Sequence, residues 1–442
     1  MSQEILAISP IDGRYKTITY PLQSYFSEYA LFKYRLMIEI EYFIKLSKIL
    51  PELSDFNIEN IEILRDIYIN FSIEDCLKIK EKEVTTNHDI KALEYFIQEK
   101  FLNLGIDKYN SFIHFALTSQ DINSSAQMLA IKDGLENSII PEIKKIISIL
   151  DSLSILWKNI SMLSKTHGQV ATPTTVGKEL QVFVYRLKNE ITNLNKSIYY
   201  TKFGGAVGNF SAHFAAYPQI NWIEFADKFV NDLGLVRHKY TTQISNYDEI
   251  SFIIDSLKRI NSIILDLNQD MWLYISYGYF KQKIIKNEVG SSTMPHKINP
   301  INFENSEGNL IVANSLIEGI SRKIPISRLQ RDLTDSTILR NVGSLFAYSL
   351  IGYTSTIKGL NKIELNETVI KNDLNQNSVV LTEALQTILR RESIDNSYEL
   401  FKDFTRTDKI FTENNFLVFI NSLDIKDNIK KELISILKTY SK

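Results

Sequence analysis

The feature that most constrains this chain is an apolar stripe on helical spacing: Ile253, Leu257, Ile260, Ile264, Leu267, Met271 and Tyr274 recur every three or four residues. That interval lines one face of an α-helix, whereas a half-buried strand would alternate residue by residue. At 1.5 Å per residue the stripe needs a rod of about 30 Å. A small monomeric core has no place for such a rod; a long helical bundle does, and one shared between chains is expected. Ile139, Ile143, Ile146, Leu150, Leu153 and Trp157 repeat the pattern. With only 16 Gly and 9 Pro in 442 residues there is little to break long elements, so the fold class is mainly α.

Three regions are expected: 1–110, ending in the turn-rich LGIDKYNS; 111–360, carrying the long stripes; and 361–442, a smaller helical region that follows GLNKIELN. A net charge of −2 and a pI near 6.4 give no general attraction for nucleic acid or anionic membranes. Cys76 is the single cysteine, which excludes an intrachain disulfide and a cysteine zinc cluster. The six histidines lack a paired-ligand spacing such as H-x-x-x-H, so neither a metal nor another cofactor is expected. The opening MSQEILAISPIDGRY has no basic start followed by an apolar run, and Met271 to Phe280 is about half of a membrane span. A cytoplasmic location is the expectation.

Residues 281–300, KQKIIKNEVGSSTMPHKINP, interrupt the helical pattern. Gly290, Ser291 and Ser292 sit close in sequence to Lys297 and Asn299. A serine hydroxyl is a poor base in water, and becomes usable where a cation and N–H donors stabilise its alkoxide in a dry pocket. The alternative is a basic surface loop. His167, within SKTHGQ, could protonate a leaving group near neutral pH, or could simply pack or cap. Thr85-Thr86-Asn87-His88-Asp89 reads as a helix start before Ile90, and Ser119 in TSQDIN reads as a cap. Arg331 and Arg340 suit a phosphate, or an ordinary solvated face. Asp335 or Ser336 is expected to cap a helix beginning there.

The loop GSSTMPHKINP, Gly290 to Pro300, resembles the signature G-S-x-x-M-P-x-K-x-N-P of the fumarase/aspartase superfamily, with every fixed position filled. Members split fumarate from a carbon–nitrogen or carbon–oxygen bond by β-elimination. The resemblance implies that Ser291 is the general base and His167, in THGQ-x-A-T-P, the general acid, with Thr166 beside it. It assigns substrate contacts to Asn87, His88, Asp89, Thr118, Ser119, Ser292, Lys297, Ile298, Asn299 and Asn305, with His88 in a supporting role. Three further blocks are similar to the adenylosuccinate lyase family in its longer bacterial branch. These are SPIDGRY with Arg14 and Tyr15, the segment around Gln243, and RLQRDLTDSTILRN with Arg331, Ser336, Thr337, Ile338, Leu339 and Arg340.

The similarity runs from residue 8 to about 400 and fades at the C-terminus. It implies a three-domain fold with an intersubunit helical bundle, and a homotetramer whose sites draw His88, His167 and Ser291 from different chains. It implies cleavage of a succinylated purine nucleotide to AMP and fumarate, and of the succinylated aminoimidazole carboxamide ribotide, in purine synthesis. The rivals are a sister lyase of arginine or aspartate chemistry, a non-catalytic helical scaffold, and a nucleic-acid-binding bundle. The arginine blocks, the complete signature loop and the pI respectively argue against them.

Overall fold

The computed structural model describes residues 2–57, 59–283, 294, 297–406 and 413–440. Ser291 and Ser292 lie outside the described residues. The long elements are helices, as the stripes require: α1 (Glu28–Leu46), α2 (Ile73–Thr86), α3 (Asp89–Asn103), α4 (Ser119–Gly134), α5 (Ile140–Leu156), α6 (Val176–Leu194), α7 (Asp248–Ser276), α8 (Ile301–Lys323) and α9 (Val342–Leu360). The stripe from Ile253 is the buried face of α7, whose 29 residues make a rod of about 43 Å. Ile253, Leu257, Ile260, Ile264, Leu267 and Met271 are all fully covered. Each such side chain contributes roughly 1.5–3 kcal/mol by leaving water. The second stripe forms the covered face of α5. The helix preceding it passes through one π turn, Leu135–Ile139, just before Pro141.

Polar side chains inside this apolar packing are matched to one another. Asn261 donates to Ser349 Oγ at 3.1 Å and to Asn314 Oδ1 at 3.0 Å, and accepts from Tyr353. A buried amide left alone would cost as much as several methylenes gain, so this cluster fixes which faces of α7, α8 and α9 meet.

The chain forms two compact units. The first comprises Met1–Lys145, Lys188–Leu265 and Asn305–Ser355; the second comprises Ile146–Leu187, Asp266–Glu304 and Thr356–Lys442. Helices α5, α6, α7, α8 and α9 each contribute residues to both. In the first unit α1 packs on α4, and α2 on α3. The segment expected as a loop near residue 107 is a short 3-10 helix, Asp107–Phe112. In the second unit the C-terminal helices enclose their own apolar cluster, including Leu385, Leu389, Phe416, Ile420 and Leu433. Strands among the described residues are short and pair only in twos; the longest pair is the hairpin β1 (Ser161–Thr166) and β2 (Gln169–Thr175). No helix among the described residues is long and apolar enough to cross a membrane.

Candidate active site

Within the first unit, α2 ends because Asn87 adopts a left-handed conformation, φ 48°. The chain then restarts at once as α3. The cap of α3 is His88, where the sequence suggested its Thr, Asn and Asp neighbours: His88 Nδ1 accepts from the Lys91 N–H at 3.2 Å. An accepting Nδ1 puts the neutral ring's proton on Nε2, so His88 can offer a donor from its exposed edge. Asp89 Oδ1 accepts from the Ile90 N–H at 2.9 Å, and its Oδ2 lies 2.8 Å from Arg35 Nη2. Burial pushes the Asp89 carboxyl up, but Arg35 and that N–H outweigh it and hold it below the usual carboxylate range.

The TSQDIN block opens α4. Its cap is Thr118 and not Ser119; Asp121 reaches back to accept from the Thr118 N–H at 2.8 Å. Asp121 is fully buried and also takes Lys202 Nζ at 2.7 Å and the Gly204 N–H at 2.7 Å. Burial drives the Lys202 ammonium below its ordinary value despite this partner. The buried pair welds the start of α4 to the Gly204–Gly208 loop. Gly208, at φ 79°, lies so close to Thr241 that a Cβ there would stand 2.5 Å from the Thr241 carbonyl oxygen. The loop therefore braces the segment leading to Gln243, whose N–H donates to the Gln330 carbonyl at 3.3 Å.

Arg331 follows Gln330 and is surrounded by uncharged acceptors. Gln243 Oε1 lies 3.5 Å from one of its nitrogens and Ser336 Oγ 3.4 Å from another. The buried Gln120 amide, with its oxygen toward the guanidinium, accepts from both terminal nitrogens at 3.2 and 3.1 Å. The helix Thr334–Leu339 is capped differently from expectation. Neither Asp335 nor Ser336 caps it; Asp332 Oδ1 accepts from the Thr334 N–H at 2.8 Å, while Asp335 is buried and accepts from Tyr247 at 2.9 Å.

These segments converge on one cavity of about 280 Å³. Asn87, His88 and Asp89 line it from one side, Ser119 from a second, and Arg331, Ser336 and Arg340 from a third. A neighbouring cavity of about 320 Å³ shares His88 and Ser119 and adds Thr118 and His114. Three guanidinium groups, Arg35, Arg331 and Arg340, face the first cavity with hydroxyl donors among them, and outnumber its two carboxylates, Glu83 and Asp89. That lining suits an anion with several oxygens.

The remaining expected residues are placed elsewhere. Arg14 is exposed and stacks over Tyr15, whose hydroxyl accepts from Asn305 at 2.8 Å; Asn305 Oδ1 is in turn taken by Ser355. Thr337 is exposed and Ile338 half-buried, while Leu339 is buried in the packing. In the second unit, Lys297 and Ile298 are exposed and Asn299 half-buried. Thr166 closes β1, and His167-Gly168 form the two-residue turn to β2, with φ 52° and 74°. Two left-handed residues are what a type I′ hairpin turn demands. For histidine that conformation is strained, and the ring is exposed.

Sequence reasoning missed Arg35, Asn123 and the role of Gln120. Arg35 sits on a mostly apolar helix face with no motif around it; the one signal was a pair of opposite charges, Arg35 and Glu39, four residues apart among Phe32, Leu36 and Ile38.

Known proteins resemble this chain over most of its length. Residues 13–314 match a lyase family model and residues 327–440 a model described as adenylosuccinate lyase C-terminal. An adenylosuccinate lyase of Dictyostelium discoideum is 54% identical, over 97% of this chain and 94% of its own length. One from Legionella pneumophila is 48% identical, over 98% and 96%, and that of Escherichia coli K12 is 43% identical, over 97% and 94%. The fold is similar to that of a 3-carboxy-cis,cis-muconate lactonizing enzyme from Pseudomonas putida, with TM-score 0.72 at 16% identity over 96% of this chain and 93% of that one. The chain belongs to the adenylosuccinate lyase family.

Proposed function

We propose that this protein removes fumarate from adenylosuccinate to give AMP, and from the succinylated aminoimidazole carboxamide ribotide in the same manner. The observation that carries the reading is the single cavity gathering Asn87, His88, Asp89, Ser119, Arg331, Ser336 and Arg340 from three distant segments. A nucleotide phosphate would take the guanidinium side, through Arg331 and Arg340, with Ser336 donating a hydroxyl. Arg14, Tyr15 and Gln243 complete the nucleotide contacts.

In the proposed chemistry Ser291 removes a proton from the carbon beside a succinyl carboxylate. The electron pair moves to form the fumarate double bond as the carbon–nitrogen bond breaks. His167 gives its proton to the departing nitrogen. Thr118, Ser119, Ser292, Lys297 and Asn299 hold the carboxylates and the charge that develops on them. Placing the acid on a strained, exposed turn fits a residue selected for access to a ligand and not for packing.

The same reading makes the protein a cytoplasmic homotetramer with sites shared between subunits. Supporting this, the long helices carry large apolar side chains uncovered in the single chain, including Ile155 and Leu156 at 70% exposure and Tyr185 at 69%. Further copies would cover them.

The direct test is purified protein with adenylosuccinate, following loss of its ultraviolet absorbance and appearance of fumarate. No fumarate release would overturn the reading. For sharing, inactive Ser291→Ala and His167→Ala proteins are dissociated, mixed and reassociated; activity should return, because some sites receive both intact residues. Mixed tetramers without activity would mean that each site is built within one chain.

A further inference from the structure

We propose that Arg35 is a positioning residue for anion binding: it holds Asp89 so that Arg340 stays open to a phosphate. The inference rests on the nucleotide reading above. Asp89 Oδ2 has two guanidinium neighbours, Arg35 Nη2 at 2.8 Å and Arg340 Nη2 at 3.7 Å. They are not equivalent. The Arg35 side chain is 4% exposed, and its Nε is anchored on Asn123 Oδ1 at 2.8 Å. The Arg340 side chain is 55% exposed and meets Asp89 only at long range.

Arg35 cannot swing toward a ligand without giving up both the buried Asn123 and the half-buried Asp89. Arg340 gives up only a screened contact, so it is the cation free to turn. The carboxylate between them decides its behaviour. Without Arg35, Asp89 would keep only the Ile90 N–H on its other oxygen and would draw Arg340 into a closed pair. With Arg35 in place, the carboxylate is already satisfied, and Arg340 keeps its charge for an incoming anion. Asn123 fixes the angle of the clamp and ties α1, α3 and α4 together behind the cavity.

The test is a double-mutant cycle on the full-length assembled protein, measuring AMP affinity by calorimetry and kcat and KM with adenylosuccinate. Arg35→Gln and Arg340→Met should each weaken AMP about tenfold, and the double variant should be within about twofold of the weaker single one. KM should rise more than kcat falls. Additive losses, about a hundredfold together, would mean that the arginines act independently and would overturn the proposal. Unchanged AMP affinity in Arg35→Gln would do the same. Arg35→Lys keeps a charge on Asp89 and should return AMP binding to within about threefold of wild type; a lysine variant as weak as the glutamine one counts against the clamp. Should Arg35→Gln not fold, Asn123→Leu removes one anchor without touching a charge. It should weaken AMP a few-fold, non-additively with Arg340→Met, and no change would sink the idea. Wild-type turnover separates the two failures. Turnover with additive arginines removes the clamp alone, whereas absent turnover removes the nucleotide reading.

Discussion

In the first unit three of the cavity's charged groups are held before any ligand arrives: Arg35 and Asp89 by each other, Arg331 by Gln120, Gln243 and Ser336. In the second unit His167 stands exposed on a two-residue turn in a conformation that histidine resists. The first arrangement suits recognition, because pre-set donors lose little freedom when they bind. The second suits a step that must reach a particular atom at a particular moment. On the proposed function, affinity rests on the first unit's residues and turnover on the second's, and substitutions in the two regions should divide the same way.

The largest effect is expected at the hairpin. His167→Gln should lower kcat by roughly 10²–10⁴-fold, the range for a positioned acid, with AMP affinity nearly unchanged. Comparable losses in AMP binding would break the division. Next comes the cavity. Arg331→Met should weaken AMP about ten- to a hundredfold while fumarate and adenosine binding stay close to wild type. Titration of the three ligands against both proteins reads this, and a collapse of fumarate binding would assign Arg331 to the dicarboxylate instead.

A third outcome contrasts the exposed His167 with a buried histidine of the first unit. His213 is 1% exposed, with Nε2 3.1 Å from the Tyr42 hydroxyl, and burial pushes its imidazolium down to about 4. The unfolded chain therefore takes up the proton first, near pH 6.5. The stability tied to neutral His213 is complete above that pH and lost as pH falls toward 4. Urea midpoints between pH 7 and 5 should drop less in His213→Gln than in wild type, by the equivalent of about 1 kcal/mol at pH 5.5. Parallel curves would show that the histidine is not what the acid limb reports. The smallest effect is Gly168→Ala. A Cβ there meets no atom within 4 Å, so only the backbone conformation, φ 74°, resists it. A penalty of about 1 kcal/mol should lower kcat roughly fivefold at constant AMP affinity.

The long helices were legible because one face of each repeats on the helical period, as with Ile253 to Met271 on α7. The cavity was legible where its residues cluster in short motifs, as at Asn87–Asp89 and Arg331–Arg340. Arg35 was not, because its meaning lies in pairings with residues 89 and 123 that no local pattern announces. Gln120 carries no assigned role within TSQDIN, yet its amide faces Arg331. The hairpin escaped notice because His-Gly is a weaker turn signal than Asn-Gly, and only the structure reveals both residues in the left-handed region.

The interleaving of the two units has a consequence for synthesis. Neither is a continuous stretch of chain: the first is complete only when Ser355 has been made, and the second needs the C-terminal segment. A ribosome adding about 5–20 residues per second must therefore work for roughly 20–70 s before either unit can close. Through that interval α1 and α4 can pair, but Asn261 on α7 waits for its partners Ser349 and Tyr353 on α9. With the first unit unfinished until then, chaperone occupancy on stalled chains should peak after residue 276, when α7 is complete, and fall once residue 355 clears the exit tunnel.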